Sequence, residues 1–320
     1  MINQRNFVRF SVVFLSFIIF LLLPLTAAVK GKEKYEEKFE KTISLDRSGK
    51  VELSNISGNA EVKVWTKKEV RVEAVKIARA STQKEAKENA ARVNIEVKKE
   101  GNTVSIITRY PKSPFRNLNV SVNYRLSIPD KASLRVKSVS GDVTCTEIGG
   151  FLNLNTVSGD ITVEKAVDGV DLNAVSGDIK VDQVAGDTEV KTVSGEIEIG
   201  QLEGSVEATS VSGDIRLGDV SQAYRVKVST LSGDVEYSGD LNPKGIYSLK
   251  THSGNLAMWL PSGSRFDLEA STFSGNIQSD FEITMSGEIS PKKIKGQVNG
   301  GGAELALKTF SGDIKLKKKS

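Results

Sequence analysis

Residues 156–199 read TVSGDITVEKAVDGVDLNAVSGDIKVDQVAGDTEVKTVSGEIEI, and a Ser-Gly-acid triplet returns in them every 18 residues, at Ser158, Ser176 and Ser194. Working outward, the triplet Ser-Gly-Asp/Glu/Asn also begins at Ser57, Ser140, Ser212, Ser232, Ser253, Ser274 and Ser311. From Ser140 onward the steps are 18, 18, 18, 18, 20, 21, 21 and 37, the last spanning about two periods with one degenerate turn inside it. Self-similarity at a fixed period of this length is the signature of a stacked repeat.

Aligned on the triplet Ser, the columns are chemically uniform. Apolar pairs stand six and four residues before it (Leu152/Leu154, Val170/Leu172) and three and five after it (Ile161/Val163, Ile179/Val181). A third apolar column lies eight after it, at Ile148, Ala166, Val184, Leu202 and Val220. Small or hydroxylated residues occupy the position two before, and Val, Leu or Phe the position one before. The residues between are polar, and this alternation is that of half-buried strands. Columns −6, −4 and −1 recur at +3, +5 and +8, and Gly at +1 is echoed nine residues earlier at Gly150, Gly186 and Gly204. Each period is therefore two short strands closed by Gly-containing corners, and a helix is excluded by the density of Gly and β-branched residues. Like columns stack best on like, which predicts an all-β fold: a parallel β-solenoid of about ten turns of 18–21 residues, roughly 45–50 Å long.

Residues 29–65 supply leading strands and, at GKVELSNISGNAEVKVW (49–65), a first turn on the same columns. Residues 66–130 interrupt the repeat and are expected to form a small α+β cap lobe, with strands at 69–77, 93–98, 103–110 and 118–128. Thr82 with Glu85 three later is a capping box opening one short helix near Gln83–Arg92. Residues 131–317 carry the solenoid repeats, and 318–320 end a basic tail whose lysines are expected to guard the open end. At the other terminus, Arg5 and Arg9, the apolar run Phe10–Leu25 and Thr26-Ala27-Ala28 form a signal peptide over 1–28, or an uncleaved N-terminal anchor. Either way the remainder is exported, to the periplasm, the cell surface or the medium.

Composition removes several chemistries. One Cys (Cys145) and one His (His252) among 320 residues exclude a disulfide framework and any clustered thiolate or imidazole metal site. With 44 basic and 40 acidic side chains the net charge is +4, and no basic stripe points to nucleic acid. The triplet serines on the period recur ten times, whereas a nucleophile is normally unique, and none sits in a Gly-x-Ser-x-Gly elbow. Ser140, Gly141, Ser158, Gly159, Ser176, Gly177, Ser194, Gly195, Ser212 and Gly213 are read as structural turns, the glycines supplying positive φ.

The acidic column Asp142, Asp160, Asp178, Glu196, Asp214 and Asp234 has two readings. Each carboxylate caps its own corner by accepting nearby backbone N–H groups, or the column is a calcium ladder. Asn255 and Asn276 in the same column favour capping. The buried-parity Thr column at −2 is expected to bond within itself rather than to bind ice. His252 (−1) and Cys145 (+5) read as packing residues of the core, and no cofactor or catalytic residue is indicated. Tyr247, Met258 and Trp259 fall where the period lengthens and form the candidate contact patch.

The run VSVNYRLSIPDKASLRVKSVSGDV (120–143) with TVSGDITV, AVSGDIKV, TVSGEIEI and SVSGDIRL resembles the bacterial "putative adhesin" family, a β-strand-repeat domain of unknown function, over about residues 43–317. The resemblance implies an exported or membrane-tethered β-solenoid and brings no catalytic residues. The expected function is a non-enzymatic, adhesin-like binding or structural protein of the cell envelope, with a protein or glycan ligand. A polysaccharide-acting β-helix enzyme and an envelope protein docking a signalling partner are the alternatives.

Overall fold

The computed structural model describes residues 32–111, 118–286 and 290–319; the expected signal segment 1–28 lies outside the described residues. The described residues fold into two long sheets, of 13 and 14 strands, whose inner faces share one apolar core. Each period contributes one strand to each sheet. Leu152–Ser158 pairs in parallel with Val170–Ser176, so that Leu152 lies beside Val170 and Ser158 beside Ser176. Ile161–Ala166 pairs likewise with Ile179–Ala185 in the opposite sheet. The solenoid is two-sided, in the register the columns predict.

Burial follows parity along each strand. Columns −6, −4 and −2 point inward from one sheet, as Leu152, Leu154 and Thr156 do. Columns +3, +5 and +8 point inward from the other, as Ile161, Val163 and Ala166 do. The expected pseudo-symmetry fails at one column. Column −1 lies an odd number of residues from −2 and −4, so it faces solvent, whereas column +8 turns inward as its strand enters the next corner.

Chain order and spatial order part at both ends. Residues 66–130, expected as a cap lobe, contribute to both sheets. Thr103–Arg109 pairs in parallel with Lys50–Ser57, and Val120–Pro129 with Ala60–Trp65, making a turn that stacks outside the first. Glu69–Ala80, Glu33–Ser44 and Asn94–Glu100 then close this end by antiparallel pairing. The helix spans Gln83–Ala91; Thr82 accepts from the Glu85 N–H at 3.2 Å, and Ala86 and Ala90 are buried beneath it. At the far end the last turn enters a slot. Ala303–Ser311 lies between Ile246–Ser253 and Phe266–Ser274, and Ile314–Lys318 between Leu256–Leu260 and Ile277–Ser279. The degenerate turn expected before Ser311 is instead an antiparallel addition, Lys293–Val298 and Thr284–Met285, on Phe266–Ser274. The C-terminal lysines thus do not guard the open end: Lys317 pairs with Asp280 at 3.3 Å and Lys319 with Asp219 at 2.9 Å. The exposed edges are protected by brevity at one end, where the outermost strands are Ile277–Ser279 and Thr284–Met285, and by charge in Glu33–Ser44 at the other.

Apart from Thr108, which donates to Asn55 at 2.9 Å in the outermost turn, the hydroxyl column turns to backbone rather than to itself. Thr230, Thr251 and Thr309 donate to the carbonyls of Gly213, Gly233 and Gly254 on the neighbouring turn, at 3.2, 2.9 and 3.0 Å. The buried hydroxyls of Ser138 and Thr156 have no such partner. A buried unpaired hydroxyl carries its desolvation cost with nothing to offset it. Thr251→Val is therefore expected to cost about 1 kcal/mol, and Thr156→Val to be neutral or stabilising by up to about 1 kcal/mol. Urea unfolding of the two variants distinguishes them.

Candidate functional site

The triplet corner is the most repeated structure in the molecule, and its backbone groups can be accounted for between neighbouring turns. The Gly159 N–H donates to the Ser176 carbonyl at 3.1 Å, and the Ile161 N–H to the Asp178 carbonyl at 2.9 Å. The acid completes the set. The Asp178 N–H donates to the Asp160 carboxylate at 2.9 Å, the Glu196 N–H to Asp178 at 2.8 Å, and the Asp234 N–H to Asp214 at 2.8 Å. The acids therefore cap the adjacent corner, not their own, which corrects the expectation from sequence. The amides of Asn59 and Asn255 serve equally, accepting from the Asp142 N–H at 3.1 Å and the Asp313 N–H at 3.0 Å. Asn123 continues the column into the outermost turn, accepting from the Asn59 N–H at 3.0 Å. That turn lacks the triplet, so alignment on Ser missed it; an Asn directly before the inward Tyr124 was the available signal.

Glu196 is one methylene too long for this bond and turns instead to Arg216, 2.5 Å away; Arg216 also holds Asp214 at 2.7 Å. Backbone amides and one guanidinium thus offset the repulsion among stacked acids. Asp178→Asn is expected to change stability by less than about 0.5 kcal/mol and Asp178→Ala to cost about 1 kcal/mol. The melting temperature is expected to stay the same with calcium or chelator; a rise with calcium would establish the cation ladder.

The single Cys and His separate. Cys145 is fully buried among apolar side chains, and burial pushes its thiol up to about 12, which removes nucleophilic thiolate at neutral pH. His252 is not a core residue. It is exposed, in column −1, with its ring stacked on Phe310 at 4.9 Å and 7°. Phe310 stacks in turn on Phe273 at 4.8 Å and 5°.

The expected contact patch is also corrected. Tyr247 and Met258 are completely buried, and only Trp259 reaches the outer face, half-buried beside Ser238 and Lys317. Tyr247 fills the core against Tyr237, edge to face at 5.8 Å, with its hydroxyl donating to the Ala223 carbonyl at 3.0 Å. The lengthened period makes room for these rings.

What reaches the surface is column −1 itself. In spatial order Ile56, Val139, Val157, Val175, Val193, Val211, Leu231, His252, Phe310 and Phe273 stand side by side along the rim at the triplet corner. The nine apolar members are 43–72 % exposed. Nine steps of about 4.8 Å make a row roughly 43 Å long. Strand propensity alone does not explain it, because the other outward columns of the same strands are polar, with Asn153 and Asn155, Asp171 and Asn173, Glu189 and Lys191. A continuous exposed apolar row is the mark of an interaction surface. It runs between two unlike flanks. On the sheet side stand Lys137, Lys191, Lys250 and Lys308 in column −3; across the exposed serines stand the acids of column +2.

A second concavity, of about 880 Å³, lies on the outer face of Glu33–Ser44, Glu69–Ala80, Val120–Pro129 and Ala60–Trp65. Several of its charges are mutually engaged: Glu61 meets Lys63 at 2.6 Å and Arg125 at 3.2 Å, and Arg71 bridges Glu40 and Glu73 at 2.9 and 3.2 Å. The Lys63 ammonium hydrogen-bonded to Glu61 holds that carboxyl below its usual range.

Solved structures similar to this chain include a "putative cell adhesion protein" from Clostridium sporogenes, 12 % identical over 89 % of this chain and 100 % of that one, with a TM-score of 0.28. A "putative adhesin" from Bacteroides fragilis is 18 % identical over 87 % and 96 %, with a TM-score of 0.38. A "putative lipid binding protein" from Parabacteroides distasonis is 16 % identical over 88 % and 97 %, also at 0.38. Comparison with curated proteins finds none similar in sequence. The Toastrack DUF4097 family model matches residues 49–244 and 238–317, which take in the triplet corners and the whole apolar row, and the chain belongs to that family.

Proposed function

We propose that this chain is a non-enzymatic, exported, adhesin-like binding or structural protein of the bacterial cell envelope, and that it works through the apolar rim. The observation that carries this reading is the row of exposed Ile, Val, Leu and Phe side chains, ordered by the strand register and continuous from turn to turn, whereas the other exposed apolar residues, such as Phe151, Val167 and Tyr224, stand apart from it. Binding rather than catalysis is supported by the engagement of the repeated polar groups. The acids cap neighbouring corners, the Thr hydroxyls meet glycine carbonyls, the thiol is sealed in the core and the imidazole is stacked on a phenyl ring. Export is supported by the basic, apolar and small-residue order of residues 1–28.

The test is retention of the full chain on isolated cell envelopes and on immobilised envelope glycans, compared with the double variant Val193→Asp/Val211→Asp. Both positions are exposed, so the fold is expected to survive, with unchanged circular dichroism and melting. Retention is expected to fall at least about tenfold, corresponding to the loss of about 1.4 kcal/mol or more. Equal retention of the variant would reject the rim as the working surface.

A further inference from the structure

We infer that the rim's partner is a second copy of this chain, docked row to row with the two solenoids parallel. This rests on the rim being the working surface and adds who occupies it. Two observations carry it. First, the row is one side chain wide and continuous for roughly 43 Å, so a strip about 18 Å across that includes its flanks covers about 800 Å², the share each partner gives to a stable interface. A one-residue ridge fits poorly into a pocket but fits well against a ridge of the same pitch. A second copy has that pitch by construction, and its Val and Phe rungs meet at the same heights.

Second, the unlike flanks select the orientation. A twofold axis along the solenoid brings the lysine flank of each copy against the acidic flank of the other. Lys137 then stands level with the opposing Asp142, Lys191 with Glu196 and Lys308 with Asp313, because each pair belongs to one turn; Lys191 and Lys308 also pair with Glu189 and Glu269 of their own chain, so of these three Lys137 is the cation free to cross. A twofold axis across the solenoid would instead set acid against acid along the middle rungs and Lys137 against Lys308, and like charges facing each other oppose association. The geometry is isologous, as closed dimers require. Within the stack of His252, Phe310 and Phe273 the facing ring surfaces cover one another, so the edges point outward and only the terminal faces stay open. Edge presentation suits meshing with another ring stack better than it suits a sugar ring, which packs on an aromatic face.

Sedimentation of the full chain in mild detergent at micromolar concentrations, followed by site-specific cross-linking, tests this. The wild type is expected to be a dimer, weakened at least about 100-fold by Val193→Asp/Val211→Asp. Cross-linking uses single cysteines at Val175 and Leu231 in a Cys145→Val background, since Val occupies the same column at Val163 and Val181. In a parallel pair every rung faces its own copy, so Val175→Cys and Leu231→Cys each cross-link with themselves through a short bismaleimide. In an antiparallel pair these two rungs face each other, and only a mixture of the two variants cross-links; that result overturns the parallel arrangement. A monomer whose envelope retention still depends on the rim overturns the second copy as partner and leaves the rim reading standing. A monomer whose retention ignores the rim variants overturns both.

Discussion

Gly195→Ala is expected to destabilise the central turns by about 3–5 kcal/mol, more than any other single substitution proposed for this chain. Two separate causes add. Gly195 has φ +153°, a conformation that L side chains rarely adopt, and a Cβ at this position would lie 2.1 Å from the Gly177 carbonyl oxygen. That oxygen belongs to the adjacent turn, so relief requires parting the stack at its corner. Gly263 provides the control. It lies in a surface turn where a Cβ would meet nothing within 4 Å, and Gly263→Ala is expected to stay within about 0.5 kcal/mol of wild type. Urea unfolding gives the ranking. Hydrogen exchange is expected to place the lost protection in the turns on either side of Gly195, because each repeat contacts only its neighbours. Equal behaviour of the two variants would mean that the corners are not close-packed.

The second large effect compares two deletions of equal length. Removing residues 303–320 takes out the turn that fills the slot between the 246–260 and 266–279 strands. The remaining strands cannot close the gap without breaking their own connections, and the contacts of buried Leu305, Leu307, Ile314 and Leu316 are lost. At about 1.5–3 kcal/mol for each buried side chain, the loss is on the order of 6–12 kcal/mol. This exceeds what the end of the solenoid can bear, so the region beyond Leu260 is expected to unfold and become sensitive to proteolysis. Removing residues 177–194 instead deletes one whole interior period. It joins Ser176 to Gly195, restores every column and is expected to leave a folded, cooperative protein shortened by one turn. Reversed outcomes would show that position within the chain, rather than register, governs stability.

These expectations differ in how much of each could be read from sequence. The interior of the solenoid was legible because parallel stacking repeats one environment, and a repeated environment selects a repeated residue. Columns −6, −4, +3 and +5 are buried where alternation places them, and Cys145 lies in the core as its column requires. Column −1 was misread because alignment by residue type grouped it with the apolar columns, although parity with −2 already forbade burial. His252 followed it into the wrong class. Tyr247 and Met258 were misread for the opposite reason: a lengthened period looked like a surface irregularity and is in fact the space two buried tyrosine rings occupy.

The sequence by itself determined the local rules: a turn of 18–21 residues, two strands per turn, glycine at the tight corner and acid or amide beside it. Each follows from short-range physics, namely the pleat, the φ that only glycine accepts easily, and the stacking of like on like. Only the tertiary structure decided which turns are neighbours. The outermost N-terminal turn comes second in the chain and the final turn enters a slot, because parallel pairing depends on the strand alongside and not on its place in the sequence. The same long-range pairing gathers ten outward side chains, spread from Ile56 to Phe310, into the single rim on which the function of the molecule is proposed to rest.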